Sequence, residues 1–258
     1  MLSSPGSPHG RDRMPLKETE AIILRTYPLG EADRIVSFLS RSEGRLRGVA
    51  QGARRPRSRF GGLLEPLSHV RLWFYERETR ALVRISEGEL LESFLELQSN
   101  YELGLALATI AEISELVFPE HEPVEPAFRL ILAVAREMRS SHRSDVPLVY
   151  FLLWVVRLSG WLPSFRSCGR CKSELSSSQP AWGTSTALLC SQCAAGQGYR
   201  LPPDERNLAL NMLRQPLSDF SGLEKAQREA RDLRLYLKSL IEHHTERSIQ
   251  TLQMEKTG

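Results

Sequence analysis

All four cysteines of this 258-residue chain fall into two Cys-x-x-Cys pairs, Cys168 with Cys171 and Cys190 with Cys193, with 18 residues between the pairs. This spacing matches the template of a four-thiolate zinc site, in which each pair directs two sulfurs toward one ion at about 2.3 Å. Four protein ligands leave no open coordination position, so we expect one zinc ion that organises the fold and does not activate water. Four buried thiols or two disulfides are the alternative. With a structural metal, function must be sought elsewhere in the chain.

The segment from residue 18 to residue 90 has the pattern of a small β-domain. Short stretches rich in Ile, Val, Leu and aromatic residues are separated by turn signals that contain Gly, Pro and Ser. Five strands in about 75 residues are typical of a small closed barrel, and the OB-fold is the commonest barrel with that strand number. The predicted strands are Thr19–Tyr27, Asp33–Ser40, Arg45–Gln51, Ser68–Glu76 and Ala81–Glu87.

After about residue 95 the apolar residues recur at steps of three and four, which indicates helices. The predicted helices are Tyr101–Phe118, Ala127–Ser140, Val146–Ser159 and Leu223–His244. The fold class is therefore α+β: an N-terminal five-stranded OB-fold β-barrel, then an α-helical domain with an inserted four-cysteine zinc finger. The predicted divisions are a disordered tail at 1–15, the barrel at 16–92, the helical domain at 93–164 and the zinc insertion at 165–200. C-terminal helices at 201–258 complete the helical domain.

Charge is distributed unevenly along the chain, although the net charge is only +3. Residues 41–59 contain seven arginines and one acid, a local balance of +6. Residues 96–145 contain nine acids and four arginines, a balance of −5. A polyanion is therefore expected to bind the first region and to be repelled by the second.

The basic stretch is the sharper functional signal. Arginine presents a planar fork of donors that suits phosphate oxygens, and the glycines of the same stretch let a backbone approach closely. Each phosphate contact releases counterions, so affinity for a single strand should fall with salt at a log–log slope of about −0.7 per contact. A solvated loop that only aids solubility is the alternative. The candidate nucleic-acid-binding residues here are Arg45, Arg47, Arg54, Arg55, Arg57 and Arg59.

The fourth predicted strand places different residue types on its two faces, because successive side chains alternate. One face is expected to line the core with Val70, Leu72 and Phe74. A base stacked on an exposed aromatic contributes about 1–3 kcal/mol, so the opposite face is a second candidate surface. Its residues are Arg71, Trp73 and Tyr75.

The sequence lacks the motifs of common catalytic sites. It contains no Gly-x-x-x-x-Gly-Lys-Ser/Thr loop, no Gly-x-Gly-x-x-Gly fingerprint and no His-Glu-x-x-His pair. All four cysteines are assigned to the metal, which leaves no thiol nucleophile. We therefore expect a binding protein and not an enzyme.

Neither a targeting segment nor a membrane span is predicted. The longest apolar run, residues 146–156, is too short to cross a bilayer. Residues 1–15 are rich in Ser, Pro and Gly and lack the apolar stretch of a signal peptide; Met14 is an alternative translation start. Paired thiols without a secretory signal favour a reducing cytoplasm and a metal.

A series of motifs runs from about residue 16 to residue 253 in a fixed order. They are Glu20-Ala-Ile-Ile-Leu-Arg25, Gly30-Glu-Ala-Asp-Arg34, Gly44-Arg-Leu-Arg-Gly48, Gly52-Ala-Arg-Arg-Pro-Arg-Ser-Arg-Phe-Gly61, Leu64-Glu-Pro-Leu67, Leu158-Ser-Gly-Trp-Leu-Pro163 and the cysteine pairs. This series resembles the RecO family of bacterial recombination and repair proteins. The most specific part is Gly-Glu-Ala-Asp-Arg followed by Gly-Ala-Arg-Arg at this separation.

The resemblance implies an OB-fold, a helical domain and a zinc-binding insertion. It also implies a non-enzymatic, cytoplasmic, nucleoid-associated protein that binds single- and double-stranded DNA, anneals complementary strands and, with RecR, helps RecA replace single-strand-binding protein. On that basis the six arginines of the basic stretch would contact DNA. RecR would dock on the barrel surface, and the acidic tail of the single-strand-binding protein would dock on the helical domain.

Two other functions fit the same residues. One is a zinc-containing transcription or RNA-binding factor that uses the OB barrel for RNA. The other is a scaffold whose helical part binds proteins and whose basic loop is incidental.

Overall fold

A computed structural model describes residues 15–76, 81–220 and 230–254 of the chain. The predicted disordered tail lies outside the described residues except for Pro15, and so do residues 223–229 of the last predicted helix. The described chain begins with five strands and continues with helices, and a small three-stranded sheet is inserted among them. The predicted α+β class, a barrel followed by a helical domain, is confirmed.

The strands of the N-terminal part agree with the prediction in number and position. Their bounds differ from the predicted ones by five residues at most, at the end of the last strand. The strands are β1 (Leu16–Leu29), β2 (Asp33–Ser40), β3 (Gly44–Ala50), β4 (His69–Tyr75) and β5 (Val83–Glu92).

These strands close into a barrel in the order β1-β2-β3-β5-β4, and β4 pairs back with β1. β3 and β5 run parallel, whereas the other four pairs are antiparallel. Gly48 lies where β3 meets β5, and a β-carbon there would come within 2.8 Å of Val83 and 2.9 Å of Ile85. Glycine is therefore needed for the closing pair of this OB-type barrel.

The barrel interior is filled by apolar side chains that alternate along the strands. Val70, Leu72 and Phe74 are fully buried there, as predicted, and Phe74 packs edge-on against Phe38 with ring centroids 6.2 Å apart. The barrel core also contains Ala21, Ile23, Val36, Leu46, Phe60, Val83 and Ile85.

β1 joins the barrel to the helices, because one of its faces is buried in the barrel core and the other in the core of the helical domain. Ala21 and Ile23 point into the barrel, while Ile22 and Leu24 belong to the core of the helical domain. The register with β2 shifts between Ile23 and Arg25, a β-bulge that re-aims the following side chains.

The helices follow the predicted three- and four-residue apolar pattern. Asn100 begins the first helix, because its side chain accepts a hydrogen bond from the Leu103 N–H at 3.1 Å. Gly160, with φ of 74°, follows the third helix, the most apolar one, as predicted. The helices are α1 (Tyr101–Val117), α2 (Glu125–Ser141), α3 (Asp145–Leu158), α4 (Ser191–Ala194), α5 (Pro203–Met212), α6 (Arg231–Thr245) and α7 (Thr251–Met254), with 3-10 turns at Leu95–Ser99 and Leu217–Phe220.

The cysteine-containing segment carries short strands that the sequence analysis did not predict. β6 (Ala181–Gly183) pairs with β7 (Leu188–Leu189) on one side and β8 (Tyr199–Leu201) on the other. A β-carbon at Gly183 would lie 2.3 Å from the ring of Tyr236. This close approach seats the small sheet on α6, so the segment shares the helical core.

No helix within residues 15–76, 81–220 and 230–254 combines the length and apolar character needed to span a membrane.

Candidate nucleic-acid interface and metal centre

The four cysteines converge between α3 and α5, as predicted. Their Sγ atoms all lie within 4.8 Å of one another, and those of Cys171 and Cys190 are 3.8 Å apart. Four sulfurs bound at about 2.3 Å to one tetrahedral ion lie about 3.8 Å apart, so the cluster has the dimensions of a zinc site. All four are free thiols, which does not support the alternative of two disulfides.

Backbone turns bring the thiols together. Cys171 is followed by Lys172 in the left-handed region, with φ of 63°, and the Lys172 N–H donates to the Cys168 carbonyl at 3.0 Å. The Cys190 N–H donates to Sγ of Cys168 at 3.4 Å. Such N–H···S bonds orient a thiolate for metal binding.

The ionisation of the thiols favours a bound cation. Burial would raise the pKa of Cys168, but backbone N–H groups of Cys171, Cys190 and Arg170 outweigh it and lower this pKa to about 6. Hydrogen bonds with the side chains of Cys171 and Cys190 raise the pKa of Cys193 to about 12. Because neighbouring thiolates repel each other, ionisation of all four requires a cation between them.

The loop between β3 and β4, residues 51–68, carries most of the predicted arginines and is called the basic loop below. Its first part is fixed to the β1–β2 turn: the Gly52 N–H donates to Asp33 Oδ1 at 2.8 Å, and the Arg54 N–H donates to the Ala32 carbonyl at 2.9 Å. Buried Phe60 anchors its middle in the barrel core. The loop is thus held at both points while its arginine side chains face solvent.

The arginines of the basic loop are exposed, and none of them forms an ion pair with any residue that the structure describes. Arg54 Nη1 donates to the Gly30 carbonyl at 2.7 Å, and the Arg59 guanidinium lies 4.9 Å from the Phe60 ring centroid. Neither contact neutralises the positive charge. The structure therefore brings together Arg54, Arg55, Arg57 and Arg59.

Arg47 extends this positive surface onto the barrel face. It lies on β3 opposite Ser37, and Ser37 in turn lies opposite Arg25 on β1, so the three share one outer face. Arg47 is exposed and, within the described ranges, has no carboxylate partner. The outer face of strands 2 and 3 is the usual oligonucleotide-binding surface of an OB-fold. Ser37 and Leu39 on this face are buried, and Leu39 packs in the core of the helical domain, so the part open to solvent is the one that carries Arg47.

Arg45 lies on the same face of β3, but it binds the helical domain. Its Nε donates to the Phe118 carbonyl at 2.9 Å, and its Nη1 pairs with Glu120 Oε1 at 2.9 Å. Its side chain is only 16% exposed. Arg45 is therefore separated from the other five arginines and acts as a domain-joining residue.

The outer face of β4 points away from the barrel core, as predicted, but its residues are half-buried and not exposed, and carboxylates lie beside it. Arg71 pairs with Glu18 at 3.4 Å and with Glu89 at 2.8 Å, and Trp73 Nε1 donates to Glu18 at 3.1 Å. Glu87 lies directly opposite Trp73 on β5. Because carboxylates surround Arg71 and Trp73, phosphate would be repelled from this part of the face. Tyr75 lies at its end, opposite Leu16 and Arg84.

An aromatic residue that the sequence analysis did not select lies beside Arg47 instead. Tyr27 on β1 is opposite Ile35, which is opposite Val49 on β3. Tyr27 is 37% exposed, and the other two are half-buried. This row is next to the Arg25–Ser37–Arg47 row and forms an apolar patch of the kind on which bases could stack. Tyr27 lies two residues after Arg25 on the same strand, and this spacing is the signal that could have placed both on one face.

A cleft of about 330 Å³, called the interdomain cleft below, separates this barrel face from α1. Tyr27 and Arg47 line it from the barrel. Arg25 also lines it and pairs with Glu115 of α1 at 3.3 Å. Arg247 lines it from the loop between α6 and α7.

These features define a class of protein: an OB-type barrel with a basic surface, joined to a helical domain that carries a four-cysteine centre. Comparison with known families identifies the particular one. Residues 14–94 match the family model "Recombination protein O N terminal", and residues 98–253 match "Recombination protein O C terminal". The chain belongs to the RecO family and is a DNA repair and recombination protein.

Individual relatives agree with the family match along the chain. The DNA repair protein RecO of Koribacter versatilis is 38% identical over 239 residues, which cover 93% of this chain and 98% of the relative. The DNA repair protein RecO of Nocardioides sp. is 34% identical over 243 residues, which cover 92% and 98% of the two chains. That of Frankia casuarinae is 31% identical over 251 residues, with 93% and 98% covered.

Proposed function

We propose that the protein is a non-enzymatic recombination mediator that binds single- and double-stranded DNA and anneals complementary strands. In this proposal it acts with RecR to help RecA replace single-strand-binding protein, in the bacterial cytoplasm and at the nucleoid. The observation that carries the proposal is the group of exposed, uncompensated arginines on the basic loop, next to the strand 2–3 face of an OB barrel. Membership of the RecO family supports DNA as the polyanion.

Annealing requires no acid, base or nucleophile. Two strands that repel each other must be held close, with their phosphates partly neutralised and their base edges free to pair. The guanidinium groups of Arg47, Arg54, Arg55 and Arg57 supply the neutralisation, each as a planar fork of donors. Tyr27 supplies a stacking surface that tolerates any base, because every base has a π-face.

Acidic residues of the helical part limit where DNA can lie. Residues 96–145 carry a balance of −5, and α1 contributes Glu115 to the edge of the barrel face. A strand bound on the basic loop is therefore repelled from most of the helical surface. We propose two docking sites for protein partners apart from this acidic surface: the acidic tail of single-strand-binding protein binds elsewhere on the helical domain, and RecR binds the barrel.

We propose one structural zinc ion at Cys168, Cys171, Cys190 and Cys193. When bound, it would hold the two ends of the cysteine segment and supply folding free energy. The surrounding residues position the thiols through backbone N–H groups, and Tyr236 seats the small sheet on α6. We also propose the division into domains at 16–92, 93–164, 165–200 and 201–258.

The test is a strand-annealing assay on strands coated with single-strand-binding protein. Charge reversal at Arg54, Arg55 and Arg57 should abolish annealing without unfolding the protein. The control reverses Arg143, Arg166 and Arg200, which are also exposed, so it changes the net charge equally. Loss in the first variant alone supports the proposal, whereas unchanged annealing in that variant overturns it.

Affinities for single-stranded DNA and RNA of one sequence separate this proposal from an RNA-binding factor. Recovery of partners with and without nuclease separates it from a protein scaffold, since scaffold contacts persist after DNA is removed.

A further inference from the structure

The loop between α6 and α7 is fixed to α1 by one buried carboxylate. Glu112 is 8% exposed. Its Oε1 accepts the Gln250 N–H at 2.8 Å, and its Oε2 accepts the Thr251 N–H at 3.0 Å and the Thr251 hydroxyl at 2.6 Å. The carboxylate thus satisfies N–H groups at the start of α7. A second carboxylate, Glu242, accepts the Ile249 N–H at 2.9 Å.

This fixed loop presents an arginine to the interdomain cleft. Arg247 is exposed and lines the cleft together with Arg47 of β3. The other cleft arginines are paired, Arg25 with Glu115 and Arg45 with Glu120. Within the described ranges, neither Arg47 nor Arg247 has a carboxylate partner. The two uncompensated positive charges of the cleft therefore come from opposite domains.

The cleft has the size of a site for one strand. Its volume of about 330 Å³ lies at the lower end of small-ligand sites, which are about 300–1,000 Å³, and so suits a nucleotide unit but not a duplex. Glu115 and Glu120 at its wall are already paired with Arg25 and Arg45, so the selectivity for one strand rests on the size of the cleft.

We propose that Arg247 binds the phosphate backbone of single-stranded DNA in the interdomain cleft together with Arg47, and that Glu112 is the positioning residue that holds Arg247 there. This inference rests on the proposed DNA-binding function and adds a contact selective for single strands. The basic loop, by contrast, binds both forms from the open side of the barrel.

The direct test compares Arg247→Ala with the wild-type protein by fluorescence anisotropy on a thymidine oligonucleotide and on a blunt hairpin duplex. Single-strand affinity should fall about fivefold, the effect of losing one solvent-exposed charged contact, and the salt slope should decrease by about 0.7. Duplex affinity should change by less than about twofold. Arg143→Ala, an exposed arginine that does not line the cleft, is the matched control and should change neither.

The positioning role is tested with Glu112→Ala and with the Glu112→Ala/Arg247→Ala double variant. Glu112→Ala releases the loop and should weaken single-strand binding as much as Arg247→Ala does. The affinity of the double variant should be no lower than that of either single variant. Additive losses would overturn the positioning role. If Glu112→Ala proves unstable, Glu112→Gln serves as the second variant, because it keeps the side-chain volume but can no longer accept from both backbone N–H groups. It should weaken single-strand binding relative to Arg143→Ala, and unchanged affinity would overturn the positioning role.

The outcomes separate this inference from the function on which it rests. Unchanged single-strand affinity in Arg247→Ala, with binding lost on charge reversal of the basic loop, overturns the inference alone. Equal losses for single strand and duplex overturn the selectivity. Full binding after charge reversal of the basic loop overturns the proposed function as well.

Discussion

Arg45 and Glu120 form an ion pair, with Nη1 2.9 Å from Oε1, that joins β3 of the barrel to the loop between α1 and α2. The same loop also bonds to the Arg45 backbone, because the His121 N–H donates to the Arg45 carbonyl at 3.2 Å. Arg47, two residues along the same strand face, has no such partner among the described residues. Two arginines with the same local sequence setting therefore have different surroundings: one is paired across the domain contact and the other is exposed.

We expect Arg45→Ala to reduce stability and Arg47→Ala to reduce DNA affinity. Loss of Arg45 leaves the Phe118 carbonyl and Glu120 without their donor, at a cost of about 1–2 kcal/mol in the free energy of unfolding. Arg47→Ala should change that free energy by less than about 0.5 kcal/mol but weaken single-strand binding. Urea denaturation and anisotropy titration measure both effects. Wild-type stability with weakened DNA binding in Arg45→Ala would contradict the assignment.

Tyr27→Ala should weaken single-strand binding more than Trp73→Ala does. Stacking of one base contributes about 1–3 kcal/mol. Tyr27 lies near the uncompensated Arg47, and the glutamate that its hydroxyl contacts, Glu115, is paired with Arg25, whereas Trp73 lies between Glu18 and Glu87. Anisotropy titration of the two variants on one oligonucleotide makes the comparison. The reverse order of effects would place the stacking surface on β4, as the sequence analysis predicted.

Glu92 links β5 to α2 and makes stability depend on pH. Burial alone would raise the pKa of Glu92, but hydrogen bonds from Arg136 and Arg139 outweigh it and hold this pKa below its ordinary value. A carboxyl group with a lowered pKa stabilises the fold above its unfolded pKa, and the contribution is lost as pH falls through the folded pKa. Glu92→Gln should therefore cost about 1–3 kcal/mol at pH 7.

The Glu92→Gln difference should shrink as pH falls below about 4.3, the ordinary glutamate pKa. Urea denaturation at pH 7 and at successively lower pH measures it. A difference that stays constant through the acid range would show that Glu92 acts through packing and not through its charge.

Replacement of Cys168 and Cys190 by Ser should remove the metal and destabilise the helical part. Two thiolates cannot complete a tetrahedral zinc site, and the folding free energy coupled to metal binding is lost. We expect the melting temperature to fall by about 5–10 °C and solubility to decrease. Elemental analysis and thermal denaturation measure the two effects. One zinc per chain in the double variant would contradict a four-thiolate site.

The strands and the cysteine cluster could be predicted from sequence because their signals are local. Alternation in Val70-Arg71-Leu72-Trp73-Phe74 gives the buried face of β4 correctly, and Cys-x-x-Cys spacing identifies the four thiols that meet. The pattern also places Trp73 on the outer face, but it predicts neither that Trp73 is half-buried nor that its neighbours are acidic, because Glu18 is 55 residues away in sequence. A periodic pattern predicts the face of the strand on which a residue lies, but it does not predict which residues of the neighbouring strand lie beside it.

Ion-pair partners that are distant in sequence cannot be predicted from a local charge count either, as Arg45 shows. A count of arginines treats Arg45 and Arg57 alike, yet the carbonyl that Arg45 binds belongs to Phe118, 73 residues away at the end of α1. Arg247 was not selected because it lies outside the basic stretch, and only the packing of α7 on Glu112 brings it to the barrel. Tertiary contacts thus decide which charges remain available.

The most direct test of the DNA interface is the salt dependence of single-strand binding in an Arg54→Gln/Arg55→Gln/Arg57→Gln variant. If these guanidinium groups contact phosphates, the log–log slope of affinity against salt should become shallower than that of the wild type by about 2, the sum of three contacts. A variant slope equal to the wild-type slope would show that the basic loop does not bind the DNA backbone.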